Sequence, residues 1–187
     1  MLDPTKSESE TKGPSAPLQV HGVLVRVFRT GVLIVGESGI GKSECALDLV
    51  SKGHKLVADD VVAITSGSNG LLLGTAPALT TELLEIRGLG VINVRTLFGD
   101  LALNKESAID LCVELRRKVE VERIGDVMDV YELGGYRVPK FVLPVSPGRN
   151  LSTLIETAVR LFRQLENGVN ASDMLTQRHD AILNSVT

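Results

Sequence analysis

The chain has no tryptophan, and aromatic side chains make up only 3% of its 187 residues. Aliphatic side chains must therefore fill the core, and a hydrophobic content of 43% supplies enough of them for one domain. Cysteine is equally scarce. Cys45 and Cys112 fall inside apolar segments without metal-ligand spacing, so both read as buried thiols suited to a reducing cytoplasm. A net charge of −3 gives no broad field for attracting nucleic acid or an acidic membrane surface. Neither a signal peptide nor an apolar run of membrane length is present, and a soluble cytoplasmic protein is expected.

What is present is a phosphate-binding signature. Gly36, Glu37, Ser38, Gly39, Ile40, Gly41, Lys42 and Ser43 read G-x-x-x-x-G-K-S, the P-loop pattern in full. The apolar run Val32–Val35 precedes it, and a helix-like stretch, Glu44–Val50, follows. Glycines let backbone N–H groups wrap an anionic phosphate, and the helix N-terminus adds its dipole. Lys42 would then reach the β/γ-phosphates, and the Ser43 hydroxyl would ligate Mg²⁺. The pattern predicts binding of a nucleotide or another polyphosphate.

Around this loop the chain reads as α/β: a P-loop kinase-like domain with a mixed, strand-rich sheet, a hairpin entry to the P-loop strand and C-terminal helices. Residues 1–19 are polar and predict a disordered leader or linker, leaving 20–187 as the catalytic domain. Gly22–Phe28 reads as a strand, Arg29–Gly31 as a tight turn, and Val32–Val35 as the second strand of a hairpin. Gly53 suits a helix C-cap, and Lys55–Ile64 reads as one strand with Asp59 and Asp60 in its middle. Leu71–Gly74 and Ala108–Leu115 read as strands, whereas Thr80–Arg87 is ambiguous. Val127–Leu133, Gly134–Gly135 and Tyr136–Val145 predict a second hairpin. Leu151, Leu154, Ile155, Ala158, Leu161, Phe162 and Leu165 lie on one helical face, and a last short helix is predicted over 173–183.

Asp59 follows Ser43 by sixteen residues at the end of the run Leu56–Ala58, a gap that fits one helix and one turn. Such a unit brings both strand ends to one crevice, which places the acid pair near the phosphates. Two adjacent carboxylates suggest two roles, one toward Mg²⁺ and one moving a proton at a hydroxyl. Glu85 could complete a Mg²⁺ shell, and Arg87 could hold a phosphoryl group bidentately, although a β-turn with flanking charges explains them equally well. Arg149, just before the long helix, suits an anion site or a simple lead-in. The run Arg116–Lys118 reads as a solvated strand end. His21 alone has no assigned role.

Taken together, His21–Gly22, GESGIGKSE, Gly53–His54 with Val57–Asp60, LEIRGLGVINV (Leu84–Val94) and PVSPGRN (Pro144–Asn150) resemble the motifs of the HPr kinase/phosphorylase family. The LEIRGLG segment is the most specific, because P-loop proteins in general lack it. The resemblance implies a bacterial, Mg²⁺-dependent enzyme that uses ATP or pyrophosphate to phosphorylate a serine of the phosphocarrier HPr. It implies the reverse phosphorolysis as well, and a homo-oligomer. By position, His21, Lys42, Asp59, Asp60 and Arg123 match the family's catalytic residues, and Ser43 and Glu85 its Mg²⁺ ligands. An Asp would take the serine proton in the forward direction and return it in reverse.

Family members commonly carry an additional N-terminal domain, where this sequence has a short polar leader. Asn104 and Ser146 stand where relatives tend to place Arg and Lys. Fewer cations around inorganic phosphate predict that kinase activity dominates and phosphorolysis is weak. A metabolite kinase and a nucleotide-binding regulatory module without turnover are the competing readings, and the acid pair argues against the second.

Overall fold

The computed structural model describes residues 18–67, 70–117, 128–170 and Met174. Its centre is a six-stranded mixed sheet. The strands β2 (Val23–Val27) and β3 (Thr30–Gly36) pair antiparallel as a hairpin, so the chain enters β3 as expected. The turn falls one position earlier than predicted, on Phe28 and Arg29, because Phe28 adopts a left-handed φ of 56° and Thr30 already pairs with Val27.

The helix α1 (Lys42–Ser51) follows β3 and ends where expected. Gly53, with φ of 91°, donates its N–H to Val50 O, while His54 N–H reaches Leu49 O, closing the last turn. Strand β4 (Lys55–Ala58) then joins the same sheet by pairing antiparallel with β2. Since β2 also runs antiparallel to β3, β3 and β4 point the same way with β2 between them. Their C-terminal ends therefore share one sheet edge.

The expected continuous strand over 55–64 is broken. After β4 the chain turns at Asp59 and Asp60, then begins β5 (Val61–Ser66) in a different sheet. Asp60 takes a left-handed φ of 65°, and its carbonyl accepts the Gly22 N–H at 3.0 Å. The break is thus a change of layer that the apolar run does not announce. This second sheet is antiparallel throughout, in the order β1 (Leu18–His21), β5, β6 (Leu72–Thr75) and β9 (Glu106–Ala108). Leu18 and Gln19, assigned to the leader, thus belong to β1, and His21, just before the hairpin, pairs with Val61. The rest of the leader lies outside the described residues.

The ambiguous stretch resolves into a 3₁₀ turn, Ala78–Thr80, and a small hairpin of β7 (Leu83–Ile86) and β8 (Gly90–Asn93), followed by α2 (Val94–Phe98). Strand β10 (Leu111–Arg116) lies parallel between β3 and β12 (Tyr136–Pro144), while β11 (Asp129–Leu133) pairs with β12 across Gly134–Gly135. Both of these glycines have positive φ, as a two-residue hairpin loop of this kind requires. The predicted second hairpin is present.

The six-stranded sheet is buried on both faces. One face, with Ile34 and Val113, packs on Leu49 of α1 and on Ile155, Val159 and Phe162 of α3 (Leu151–Glu166). The other face, with Leu24, Leu33 and Cys112, packs on Val62 and Ile64 of the second sheet. Residues α3 buries include Ile155, Ala158 and Phe162 from the predicted stripe, whereas Leu154 is only half-buried. Asn150 caps the helix by accepting the Thr153 N–H at 2.9 Å. Of the last predicted helix only Met174 is described, and it is helical. Both cysteines are buried and free, and burial pushes each thiol up to about 12.

Candidate functional site

The glycine-rich loop spans the gap between β3 and α1. Gly36, Gly39 and Gly41 all have positive φ, of 147°, 71° and 104°. A side chain at Gly36 would also strike the carbonyl of Leu115, 2.6 Å from an ideal Cβ, on the neighbouring strand. The loop can follow this path only with glycine at such positions. The N–H groups of Ser38, Gly39 and Gly41 donate to no acceptor among the described residues. They join the unpaired N–H groups of the first turn of α1 as a concentration of donors.

Lys42 lies along the loop, its ammonium donating to Gly36 O at 2.9 Å and Glu37 O at 3.0 Å. Ser43 points instead toward the end of β4. Its hydroxyl donates to Asp59 Oδ1 at 2.9 Å, and the other carboxylate oxygen accepts the Glu85 N–H at 3.1 Å. One buried carboxylate therefore joins the loop, β4 and the β7–β8 hairpin. Burial holds the Asp59 carboxyl above its ordinary value of 3.8, only partly opposed by the hydrogen bonds from Glu85, Ser43 and the Asp60 backbone.

Asp60 is placed differently. It is 70% exposed at the rim, where its Oδ1 lies 3.6 Å from His21 Nδ1. The acid pair is thus split by environment, with one acid in the floor and the other at the lip beside a histidine. Ser38, Gly39, Gly41, Lys42, Ser43, Glu44, Asp59, Asp60, Glu85 and Arg87 line one open cleft of about 240 Å³. Arg87 reaches over the loop so closely that a Cβ on Gly39 would lie 2.6 Å from its Nη2. The cleft thus holds cations for phosphate, hard oxygen donors for a divalent ion, and a carboxylate suited to moving a proton.

Among the described residues, no three His, Cys, Asp or Glu side chains gather into a protein-only metal cage. The donors present, the Ser43 hydroxyl with the Glu85 and Asp59 carboxylates, fit Mg²⁺. That ion is held through one or two carboxylates and completes its octahedron with water and phosphate.

Among the described candidates, Arg149 does not line the cleft, and His21 stands beside it only through Asp60. Arg149 lies beyond β12 and donates to Pro144 O at 3.3 Å, so its guanidinium serves the turn before α3. Arg123 lies outside the described residues. Arg117, read as part of a solvated strand end, is exposed but reaches the loop, with Nη2 3.5 Å from Gly39 O and Nε 3.8 Å from Glu37 Oε2. Only the parallel pairing of β10 with β3 could have revealed that contact.

The fold and cleft define an α/β domain whose glycine-rich loop faces a divided acid pair. More specifically, the chain belongs to the HPr Serine kinase C-terminal domain family, whose model matches residues 15–179. It is 47% identical over 167 residues to the HPr kinase/phosphorylase of Halalkalibacterium halodurans, covering 88% of this chain and 54% of that protein. Identity to the protein of the same name from Lachnoclostridium phytofermentans is 44% over 164 residues, covering 86% of this chain and 53% of the relative. The chain thus spans about half the length of the curated relatives it matches. The solved structure of the Hpr(Ser) kinase/phosphatase from Coxiella burnetii aligns with a TM-score of 0.75 at 34% identity, covering 84% of this chain and 98% of that one. No helix among the described residues is long and apolar enough to cross a membrane.

Proposed function

We propose that this domain is a Mg²⁺-dependent P-loop protein kinase that transfers a phosphoryl group from ATP or pyrophosphate to a seryl hydroxyl of HPr. A weaker reverse phosphorolysis accompanies it. The carrying observation is the Asp59 carboxylate, which joins Ser43, Glu85 and the loop in one cleft with Lys42 and Arg87. Kinship with HPr kinase/phosphorylases supplies the acceptor.

In this reading the loop N–H groups and Lys42 hold the donor phosphates, and Arg87 steadies the migrating phosphoryl group. Ser43 and Glu85 would hold Mg²⁺, which when bound neutralises charge on the phosphates. Asp59 removes the serine proton, because its carboxylate lines the cleft and burial raises its affinity for a proton. It returns that proton in reverse. Asp60, exposed beside His21, orients the acceptor. Arg123 is assigned to the transferring group by family position alone. Arg149, which serves a turn, is left for a protein contact. Asn104 and Ser146 provide no cation for inorganic phosphate, which keeps phosphorolysis slow.

A cytoplasmic homo-oligomer completes the reading. Leu79, Leu89, Val91, Leu97 and Leu101 are each more than half exposed, apolar surface that association between copies would cover. The decisive test incubates the domain with HPr, ATP and Mg²⁺ and reads intact mass. One added phosphoryl group, removed slowly when phosphate replaces ATP, is the expected result. An unmodified HPr alongside ATP consumption would sink the protein acceptor and favour a small metabolite. Bound ATP without consumption would favour a regulatory module.

A further inference from the structure

At the foot of the β7–β8 hairpin, Glu82 and Arg95 face each other. Glu82 immediately precedes β7, in a left-handed conformation with φ of 68°, and its carbonyl accepts the Val94 N–H at 2.9 Å. Its carboxylate is gripped by two guanidinium nitrogens of Arg95, Nε at 2.8 Å and Nη2 alongside. The third nitrogen of the fork, Nη1, holds Asp100. A planar fork with three donors can serve two carboxylates at once, which a lysine ammonium on a flexible stem does far less rigidly.

The two carboxylates belong to segments that lead to the two sides of the cleft. From Glu82, β7 runs to Glu85, whose N–H bonds Asp59. From Asp100 a 3₁₀ turn runs to Leu103 and Asn104. Leu103 bridges Leu56 in parallel, and the Asn104 N–H donates to Leu56 O at 2.8 Å. Leu56 lies in β4, which ends beside Asp59. The path is a closed ring: Arg95, Glu82, β7, Glu85, Asp59, β4, Leu103, Asp100 and back to Arg95. Only at Arg95 and at Asp59 is the ring closed by side chains.

We propose that Arg95 is a positioning residue that sets the separation of Glu85 from Asp59 by bracing both arms of this ring. The proposal rests on the kinase reading only for its effect on turnover. Arg95 is half-exposed and Asp100 mostly so, and surface ion pairs add little to global stability. The bracing is therefore local, and it should be visible at the Glu85 amide.

The test follows exchange of that amide by NMR in the full chain for wild type, Arg95→Ala, Arg95→Lys and Asp100→Asn. Arg95→Ala is expected to speed Glu85 exchange about tenfold with the thermal midpoint nearly unchanged. Arg95→Lys should recover less than half of the protection, and Asp100→Asn should show a smaller loss at the same amide. In turnover, Arg95→Ala should lower kcat about tenfold with KM for ATP within about twofold, since the donor cradle is untouched. Unchanged Glu85 exchange in Arg95→Ala overturns the proposal. So does full recovery by lysine, or an Asp100→Asn variant identical to wild type. If the wild type transfers nothing to HPr, the kinase reading fails by itself, and amide exchange still decides this proposal.

Discussion

The two ends of the six-stranded sheet are built on opposite rules. At the C-terminal edge of β3 the backbone is bent through glycines of positive φ, donors are left unpaired, and charged groups line an open cleft. At the other end a set of polar groups is tied together. The Phe28 N–H reaches His54 Nδ1 at 3.4 Å, which leaves Nε2 to donate to Glu156 at 2.8 Å. Phe28 meets the His54 ring edge-on, and Arg160 lies 4.5 Å over the Phe28 ring. Gly31 donates to Asp110 at 2.7 Å, and Arg163 to Thr30 Oγ1 at 2.8 Å. The closed end anchors the strands so that the open end can hold unpaired groups in fixed positions. Stability and chemistry are thus segregated along a single strand.

Substitutions at the two ends should separate these properties. The largest effect is expected from Asp59→Asn, which should lower the phosphoryl-transfer rate about 10²–10⁴-fold, the range of a lost general base. Asp60→Asn should cost only about tenfold, because an exposed carboxylate acts on charge at the cleft through screening solvent. Equal defects, measured by single-turnover transfer, would remove the division of roles. Lys42→Ala should follow, with a loss of about 10²–10³-fold. Its melting temperature should stay near wild type, since Lys42 bonds only the carbonyls of its own loop.

Gly31→Ala tests the closed end. Its Cβ would lie 1.7 Å from Ala108 O, so the backbone must move, at about 3 kcal/mol. Calorimetry should show the loss, while the folded fraction keeps its turnover per molecule. A Gly31→Ala protein of normal stability but poor turnover would dissolve the segregation.

The smallest effect sharpens it. Burial raises the Asp59 carboxyl in the folded chain, so folding favours its protonated form. That benefit is complete below the unfolded value of 3.8 and is lost as pH rises through the folded value. At neutral pH the wild type therefore carries a buried charge that Asp59→Asn lacks. The variant should melt about 2–4 °C higher, the shift that ~1 kcal/mol gives in a domain of this size. The gap should close as pH falls toward 3.8.

Local chemistry made much of this legible in the sequence. The loop, α1, the Gly53 cap, the two hairpins and the α3 stripe follow from glycine placement and periodicity over a few residues. Asp59 and Asp60 read in the sequence as two acids beside the glycine-rich loop, but not as separate environments. The reading of 55–64 as one strand misses a change of sheet that is fixed by Gly22, nearly forty positions away in the chain, bonding Asp60 O. Arg117 reads as an ordinary strand end until β10 lies beside β3. Arg149, which the sequence offers as an anion site or a simple lead-in, bonds the carbonyl of Pro144. Local signals carried the elements, and pairing between distant strands decided which side chains met.

The neighbours of β3 also set an order of assembly. On one side β2 joins through a two-residue turn; on the other, β10 arrives late, with Gly31 and Asp110 separated by 79 positions. Short closures form early because little chain entropy is lost, whereas distant parallel pairing waits for the rest of the chain. During refolding, pulse-labelled amides of the β2–β3 ribbon should be protected before those of β10. The wall that Leu115 gives to Gly36 then forms among the last contacts, so the cradle cannot mature ahead of the domain.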